Sequence, residues 1–375
     1  MSVPDVLSPQ ERLVLGLRGL YESCGYARFP MRRFEEYALY SENKSFLPSE
    51  SVLSFTNANG RLMALKPDVT LSIVKRARAE RGQVEKLYYH ESVYRVSPTD
   101  HEFTEIGQLG VELLGEADLY GTCEVLRLAI ESLRLTGARF VLDISHMGFA
   151  ASLLAGAGLD GAQRSQASRL IRQKNAHELA RVLSQWQVPP FYAERIANLP
   201  TLGGSFTQTL DRAADIAVGE EMRRAIGELS SLYAALDALG LCAHVRLDFS
   251  IINDLDYYNG LVFQGYVEGA PRVVLSGGRY DKLMRKFGKA GDGLGFALYL
   301  DELQRVIARP AGDDVDALVL YTAQDSVPGV LRALDALREQ GRRVLAAQAP
   351  PPGLRAGKTL RYRDGALLEE VSGAC

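Results

Sequence analysis

Apolar and polar positions along this chain switch between a helical period and a strand period, and the switches mark its elements. Ser8-Pro9-Gln10-Glu11 is a helix start, with Ser as N-cap, Pro first and Glu third. The helix runs through LVLGLRGLYESCG, and Gly25 stops it. Residues 26–30 read as a short strand and residues 33–41 as helix. Ser54-Phe55-Thr56 and Leu62-Met63-Ala64-Leu65 read as strands joined by the turn signal Asn57-Ala58-Asn59-Gly60. Pro67-Asp68-Val69-Thr70 opens a helix that ends near Arg81-Gly82. Lys86 to Tyr94 and Gly107 to Leu114 alternate as antiparallel partners. Helix 117–136 and strand Ala138–Ile144 follow.

Between about 146 and 240 the texture turns rich in Ala, Leu, Arg and Gln at helical spacing, which predicts a helical insertion. Strands return at Val245–Ser250, Gly260–Tyr266 and Arg272–Ser276. A helix over Tyr280–Phe287 and a strand–helix pair over Gly293–Ile307 close the first domain, expected to span 1–309. Pro310 to Asp314 has linker composition. Beyond it, DALVLYTA, VPGVLRALDALREQG and RRVLAA read strand–helix–strand, a small α/β unit over 314–375. The expected fold is α+β: an antiparallel sheet flanked by helices.

The alternation also places chemistry. Side chains two apart on a strand share a face, so Gln108, Gly110 and Glu112 point one way, opposite Arg95 on the neighbouring strand. A polar pocket is one reading and a solvated sheet face the other. Asp68 and Thr70 sit at a helix start, where they can bind a ligand or merely cap. Asp256, Tyr257 and Tyr258 lie at a turn before a strand, where tyrosines are more often core or interface residues. Gly277-Gly278 allows close backbone approach, or simply makes a turn.

Composition narrows the classes. Against 46 acidic residues stand 43 basic ones, for a net charge of −3, which disfavours a broad nucleic-acid surface. Cys24, Cys123, Cys242 and Cys375 form no CxxC pair, which argues against a zinc site and suits reduced thiols in the cytoplasm. No cofactor is expected. The charged N-terminal segment is not a signal peptide, and no apolar run reaches the length of a membrane span.

Taken in order, several pieces resemble the core of class II histidyl-tRNA synthetases over about residues 8–307. They are Gly25-Tyr26 with Pro30, Pro67-Asp68-Val69-Thr70, Tyr94-Arg95, Gln108 to Glu112, LDYYNGLVF from Leu255, SGGRYD from Ser276, and Gly295-Phe296-Ala297. The resemblance implies a histidine pocket. Asp68 and Thr70 would hold the ligand amino group. Gln108, Tyr257, Gly277 and Gly278 would line the site, and Glu112 and Tyr258 would satisfy the two imidazole nitrogens. Arg95 would be a residual nucleotide contact. The N-terminal helix and strand resemble the dimer-forming motif of that class, which implies a homodimer.

The departures matter as much. The family has Arg where this chain has Asn253, two residues before LDYY, and Arg in GFAxGxERL where GFALYLDEL places Glu302. It also has Glu where this chain has Ser97. The loop Ser97–Glu105 has no Lys or Arg, although the family uses Arg there. Adenylyl transfer needs fixed cations against phosphate, and losing one such donor typically costs about 2.7–4 kcal/mol of transition-state stabilisation. The pattern resembles the regulatory subunits of ATP phosphoribosyltransferase, synthetase paralogues of histidine biosynthesis. That resemblance implies a non-catalytic partner of a short-form catalytic subunit in a hetero-oligomer, with a part in histidine feedback. Two rivals stay open: an active synthetase, and a synthetase-like amino-acid or tRNA-binding protein.

Overall fold

The N-terminal signal closes as a reciprocal cap in the computed structural model, which describes residues 7–43, 52–78, 83–96, 102–252, 258–307 and 313–369. Ser8 N donates to Glu11 Oε2 at 2.7 Å, Glu11 N donates to Ser8 Oγ at 3.2 Å, and Pro9 opens helix α1 (Pro9–Ser23). Gly25 follows it at φ +81°, a left-handed conformation that favours glycine.

Next come strands β1 (Ala27–Arg28) and β2 (Phe34–Glu36), helix α2 (Ala38–Ser41), and strands β3 (Ser54–Thr56) and β4 (Leu62–Leu65). The expected helix over 33–41 is therefore split: its first part is strand, and only Ala38–Ser41 is helical. Phe34–Glu36 pairs with Leu65–Met63, and inter-strand bonds outweigh a local helical pattern. Helix α3 (Thr70–Arg76) stops short of the expected Arg81, because Ala77 leaves the helical region at ψ 143°. The long hairpin β5 (Glu85–Val96) and β6 (Phe103–Gly115) leads to α4 (Leu119–Arg134) and β7 (Phe140–His146).

The segment read as a helical insertion carries α5 (Met147–Gly156), α6 (Gly161–Arg172), α7 (Ala176–Gln185), α8 (Pro190–Asn198), the short strand β8 (Gly203–Ser205), α9 (Phe206–Ile216) and α10 (Gly219–Ala238). After it come β9 (Val245–Asp248), β10 (Leu261–Val267), β11 (Leu275–Arg279), α11 (Asp281–Lys286), β12 (Asp292–Tyr299) and α12 (Leu300–Gln304).

One nine-stranded sheet organises these elements, in the order β1-β5-β6-β12-β11-β10-β7-β9-β8. The six strands from β5 to β7 are antiparallel throughout, while β1 on β5 and β9 on β7 are parallel. On one face, α3 and α11 bury Leu71, Val74, Leu283 and Met284 against Leu87, Tyr89 and Leu114. On the other, Tyr21 of α1 donates to or accepts from Ser132 Oγ of α4 at 2.9 Å and meets Phe296 of β12 edge-on.

The chain gathers into two units, Leu13–Val306 and a second that joins Met1–Arg12 to Ile307–Cys375. In the second, β13 (Val315–Leu320) lies between β14 (Val344–Ala347) and β15 (Ala356–Arg363), parallel to both, with α13 (Val327–Glu339) packed through Val330, Leu334 and Leu337. A hairpin to β16 (Ala366–Glu369) completes it, beyond the strand–helix–strand read from sequence. Among the described residues no helix is long and apolar enough to cross a membrane.

Candidate functional site

Register decides which side chains meet. Glu112 on β6 stands opposite Gly295 on β12, which stands opposite Gly278 on β11. Two strands carry glycine in that row because something bulky lies over each. A Cβ at Gly295 would sit 1.9 Å from Glu112 Oε2, and one at Gly278 would sit 2.7 Å from the Tyr258 ring. Alternation puts Gln108 on the same face, opposite Tyr299 and Glu91, and Arg95 shares that face of β5.

Glu112 is the centre of the site. It is 2% exposed, and both carboxyl oxygens are bound. Thr70 Oγ1, at the start of α3, donates to Oε1 at 2.7 Å, and Tyr280 OH, just before α11, donates to Oε2 at 2.5 Å. Burial pushes its pKa up to about 8; the bonds from Tyr280 and Thr70 work against that rise, and nearby Asp68 adds to it. Asp68 is itself raised by burial, opposed by the Leu71 amide and by Arg95. Its Oδ1 accepts from Leu71 N at 2.8 Å, so it caps α3 as well as facing the pocket. Tyr258 lies close enough to Glu112, Asp68 and Tyr299 to feel their charge, and burial first of all holds its phenol well above the usual range.

Arg95 has a task of its own. Its Nε donates to the Pro67 carbonyl at 3.0 Å, and Tyr94 N donates to Lys66 O at 2.9 Å. Lys66, fully buried, pairs with Glu91 at 2.8 Å. These bonds fix the backbone that presents Asp68 and Thr70. Arg95 therefore positions the backbone that carries Asp68 and Thr70, whatever it also offers a ligand.

Asp68, Thr70, Arg95, Gln108, Glu112, Tyr258 and Gly278 thus share one region. Gly277 does not. Strand β11 runs through Leu275–Arg279, so the glycine pair is not a turn, and adjacent strand residues face opposite ways. A Cβ at Gly277 would strike Phe296 and Phe263 on the other side of the sheet. Tyr257, Asn253 and Ser97 lie outside the described residues.

Two residues escaped the sequence reading. Tyr280 supplies one of the two bonds to Glu112 and is 2% exposed. Nothing local in SGGRYD shows that its hydroxyl reaches β6. Tyr299 stands where GFAxGxERL has its second glycine, a mismatch visible in GFALYLDEL. Its side chain shares the face of Gln108 and lies within electrostatic reach of Arg95 and Asp68, so it occupies space a glycine would leave open. Glu302, on α12, has Arg272 at 3.8 Å, and its Oε2 is buried without a hydrogen-bond partner. Among the described residues no His, Cys, Asp and Glu cluster fits a metal ion.

A mixed sheet with this buried Glu–Thr–Tyr network defines a class II synthetase-like scaffold of the histidyl type. The family described as histidyl-tRNA synthetase matches residues 3–303. The chain belongs to the ATP phosphoribosyltransferase regulatory subunits, a branch with that fold: one such subunit, from Desulforamulus reducens, is 30% identical over 94% of this chain and 90% of its own length. Among solved structures, an ATP phosphoribosyltransferase regulatory subunit/histidyl-tRNA synthetase from Bacillus halodurans superposes with TM-score 0.74 at 23% identity, over 90% of this chain and 88% of that one. A chain of the ATP phosphoribosyl transferase (HisG:HisZ) complex from Thermotoga maritima gives TM-score 0.61 at 20% identity, over 77% and 96%.

Proposed function

We propose that this chain activates a short-form ATP phosphoribosyltransferase as the non-catalytic member of a hetero-oligomer, and that its Glu112 pocket takes part in histidine feedback. One contrast carries the reading: the imidazole side of the pocket is kept and hydrogen-bonded, while the phosphate side is altered. Glu112 is held by Thr70 and Tyr280, with Asp68 and Tyr258 nearby. On the phosphate side, Glu302 puts a negative charge where adenylation needs a positive one, Asn253 replaces a second arginine, and Tyr299 fills a glycine position.

Histidine would act by binding the active and inhibited states of the assembly with different affinity, since a ligand indifferent to the two shifts nothing. Its imidazole would lie by Glu112 and Tyr258 and its ammonium by Asp68. The subunit would work in the cytoplasm as a homodimer within the complex. Membership in the regulatory-subunit family supports this reading, as does the Thermotoga maritima complex, which contains a chain of this fold.

The test is reconstitution. Mixing the chain with a short catalytic subunit should give co-elution and a higher rate of joining ATP to phosphoribosyl pyrophosphate. Separate elution with an unchanged rate would reject the proposal.

A further inference from the structure

Behind the sheet, on the face away from Glu112, lies a cavity of about 560 Å³. Arg279 establishes the side: it is one residue from Gly278 on β11 and so faces the other way. Helix α10 forms one wall with Arg224, Gly227, Glu228, Ser231 and Leu232, a stripe at helical spacing. Leu119 and Thr122 at the start of α4 form the opposite wall, with Leu261 and Arg279 between them. The volume falls within the range of about 300–1,000 Å³ that small-molecule sites occupy.

Two features of this cavity are unexplained by the chain's own packing. Gly227 lies well inside a 20-residue helix, and nothing lies within 4 Å of where its Cβ would be. Glycine inside a helix costs roughly 0.5–1 kcal/mol relative to alanine, and here no neighbour requires it. Bare helix backbone therefore faces the cavity. Leu119 is 47% exposed on the facing wall, which leaves apolar surface for an occupant.

The charges are of both signs. Glu228 Oε2 lies 3.1 Å from His146 Nε2, and that contact, with Arg279 and Arg224 nearby, holds its carboxyl below the ordinary range. Arg279 donates to the Ala117 carbonyl at 2.7 Å and to Thr122 Oγ1 at 3.2 Å, and its other terminal nitrogen pairs with Asp292 at 3.4 Å. Arg224 bonds Glu221 at the rim and is 60% exposed along its side chain. The cavity thus carries two guanidinium groups, Arg224 and Arg279, and two carboxylates, Glu228 and Asp118, of which Asp118 is engaged in capping α4 through Gly121 N. Charges of both signs beside leucine walls match a zwitterion with an apolar body.

We propose that this cavity is a second ligand site, which takes a free α-amino acid with an apolar or aromatic side chain. The ligand's ammonium pairs with Glu228, its carboxylate with Arg224 and Arg279, and its side chain lies between Leu119 and Leu232 across Gly227. The proposal is independent of the Glu112 pocket and of the partner.

The test titrates the full-length chain with L-phenylalanine and L-leucine by calorimetry. At least one should bind with a Kd at or below about 1 mM. Gly227→Leu, which fills the cavity and favours the helix, should weaken binding by at least about tenfold, as should Arg224→Glu at the exposed rim. Circular dichroism melting checks that both variants fold. Glu112→Ala should leave the affinity unchanged. N-acetyl-L-phenylalanine and L-phenylalaninamide, each lacking one charge, should bind at least about tenfold more weakly than the parent. Absence of binding by both amino acids at millimolar concentration would overturn the proposal, as would affinity unaltered in both cavity variants. Binding abolished by Glu112→Ala would move the ligand to the other pocket and overturn it equally.

Discussion

Replacing Glu112 by Gln tests whether the pocket is built around a carboxyl group that burial keeps protonated. The glutamine side chain is close to the same shape and keeps an acceptor for Thr70 or Tyr280, but it cannot ionise. In the folded chain burial raises the Glu112 pKa to about 8, from 4.5 when unperturbed. The folded state therefore holds a proton that the unfolded state has released at any pH between those values. Below about 4.5 both states are protonated and the contribution to stability is fully present; it declines as pH rises and is gone above about 8. At about 1.36 kcal/mol per pH unit, the interval sets a ceiling of about 5 kcal/mol. Water entry and local relaxation lower such penalties, so the expected loss is on the order of 2 kcal/mol.

The assay is urea unfolding of wild type and Glu112→Gln from about pH 5 to about pH 8.5, the window set by the buried acid. Groups other than Glu112 titrate in both proteins, so the difference between the two midpoints isolates this carboxyl. Wild type should lose ground to Glu112→Gln steadily as pH rises, with the gap levelling above about 8. Parallel curves, or wild type gaining with pH, would refute the reasoning: either the cavity admits enough water to solvate the anion, or Thr70 and Tyr280 stabilise it more than burial opposes it.

Three further outcomes follow from the same geometry. Glu112→Ala should weaken histidine binding in the pocket at least about tenfold, the equivalent of 1.4 kcal/mol; unchanged calorimetric affinity would remove this pocket as the feedback sensor. With ATP, histidine and pyrophosphate the chain should give no pyrophosphate exchange, whereas Tyr299→Gly should gain measurable affinity for ATP without gaining exchange, because Glu302 and Asn253 remain; exchange by wild type above background would refute it. The isolated chain should be a homodimer by light scattering at micromolar concentration, and Phe34→Asp with Phe55→Asp, two half-exposed rings that meet edge-on at 5.4 Å, should shift it toward monomer; a monomeric wild type would count against the dimer.

How much of this was legible in the sequence depends on whether the deciding contacts were local. The cap at Ser8 and the stop at Gly25 form as written, because both depend on residues within a turn of each other. The shared face of Gln108 and Glu112 needed only strand alternation, and β6 supplies it. The strand at 34–36 was hidden because β4, far along the chain, decides it. The hairpin from β15 to β16 was legible and overlooked: Asp364 and Gly365, at φ +49° and +86°, are the Asp-Gly signal of a tight turn. Gly277 and Gly278 could not be told apart by composition; only the start of β11 at Leu275 fixes which one faces Glu112.

Tyr280 is the deepest case. Its hydroxyl reaches Glu112 only because β11 and β6 flank β12 and α11 begins beneath them, a meeting that spans 168 positions in sequence. That long-range bond also gives the pocket its significance. A buried carboxyl costs free energy unless its oxygens are paired; both oxygens of Glu112 are, and removing it alone would leave the Thr70 and Tyr280 hydroxyls without their acceptor. Here Glu112 stands with both donors, from two helix starts on one face of the sheet, while Tyr299 and Glu302 differ from the glycine and arginine of the pattern GFAxGxERL. That contrast supports the proposed recognition of an imidazole at Glu112, because a carboxyl and a phenol together can satisfy both ring nitrogens.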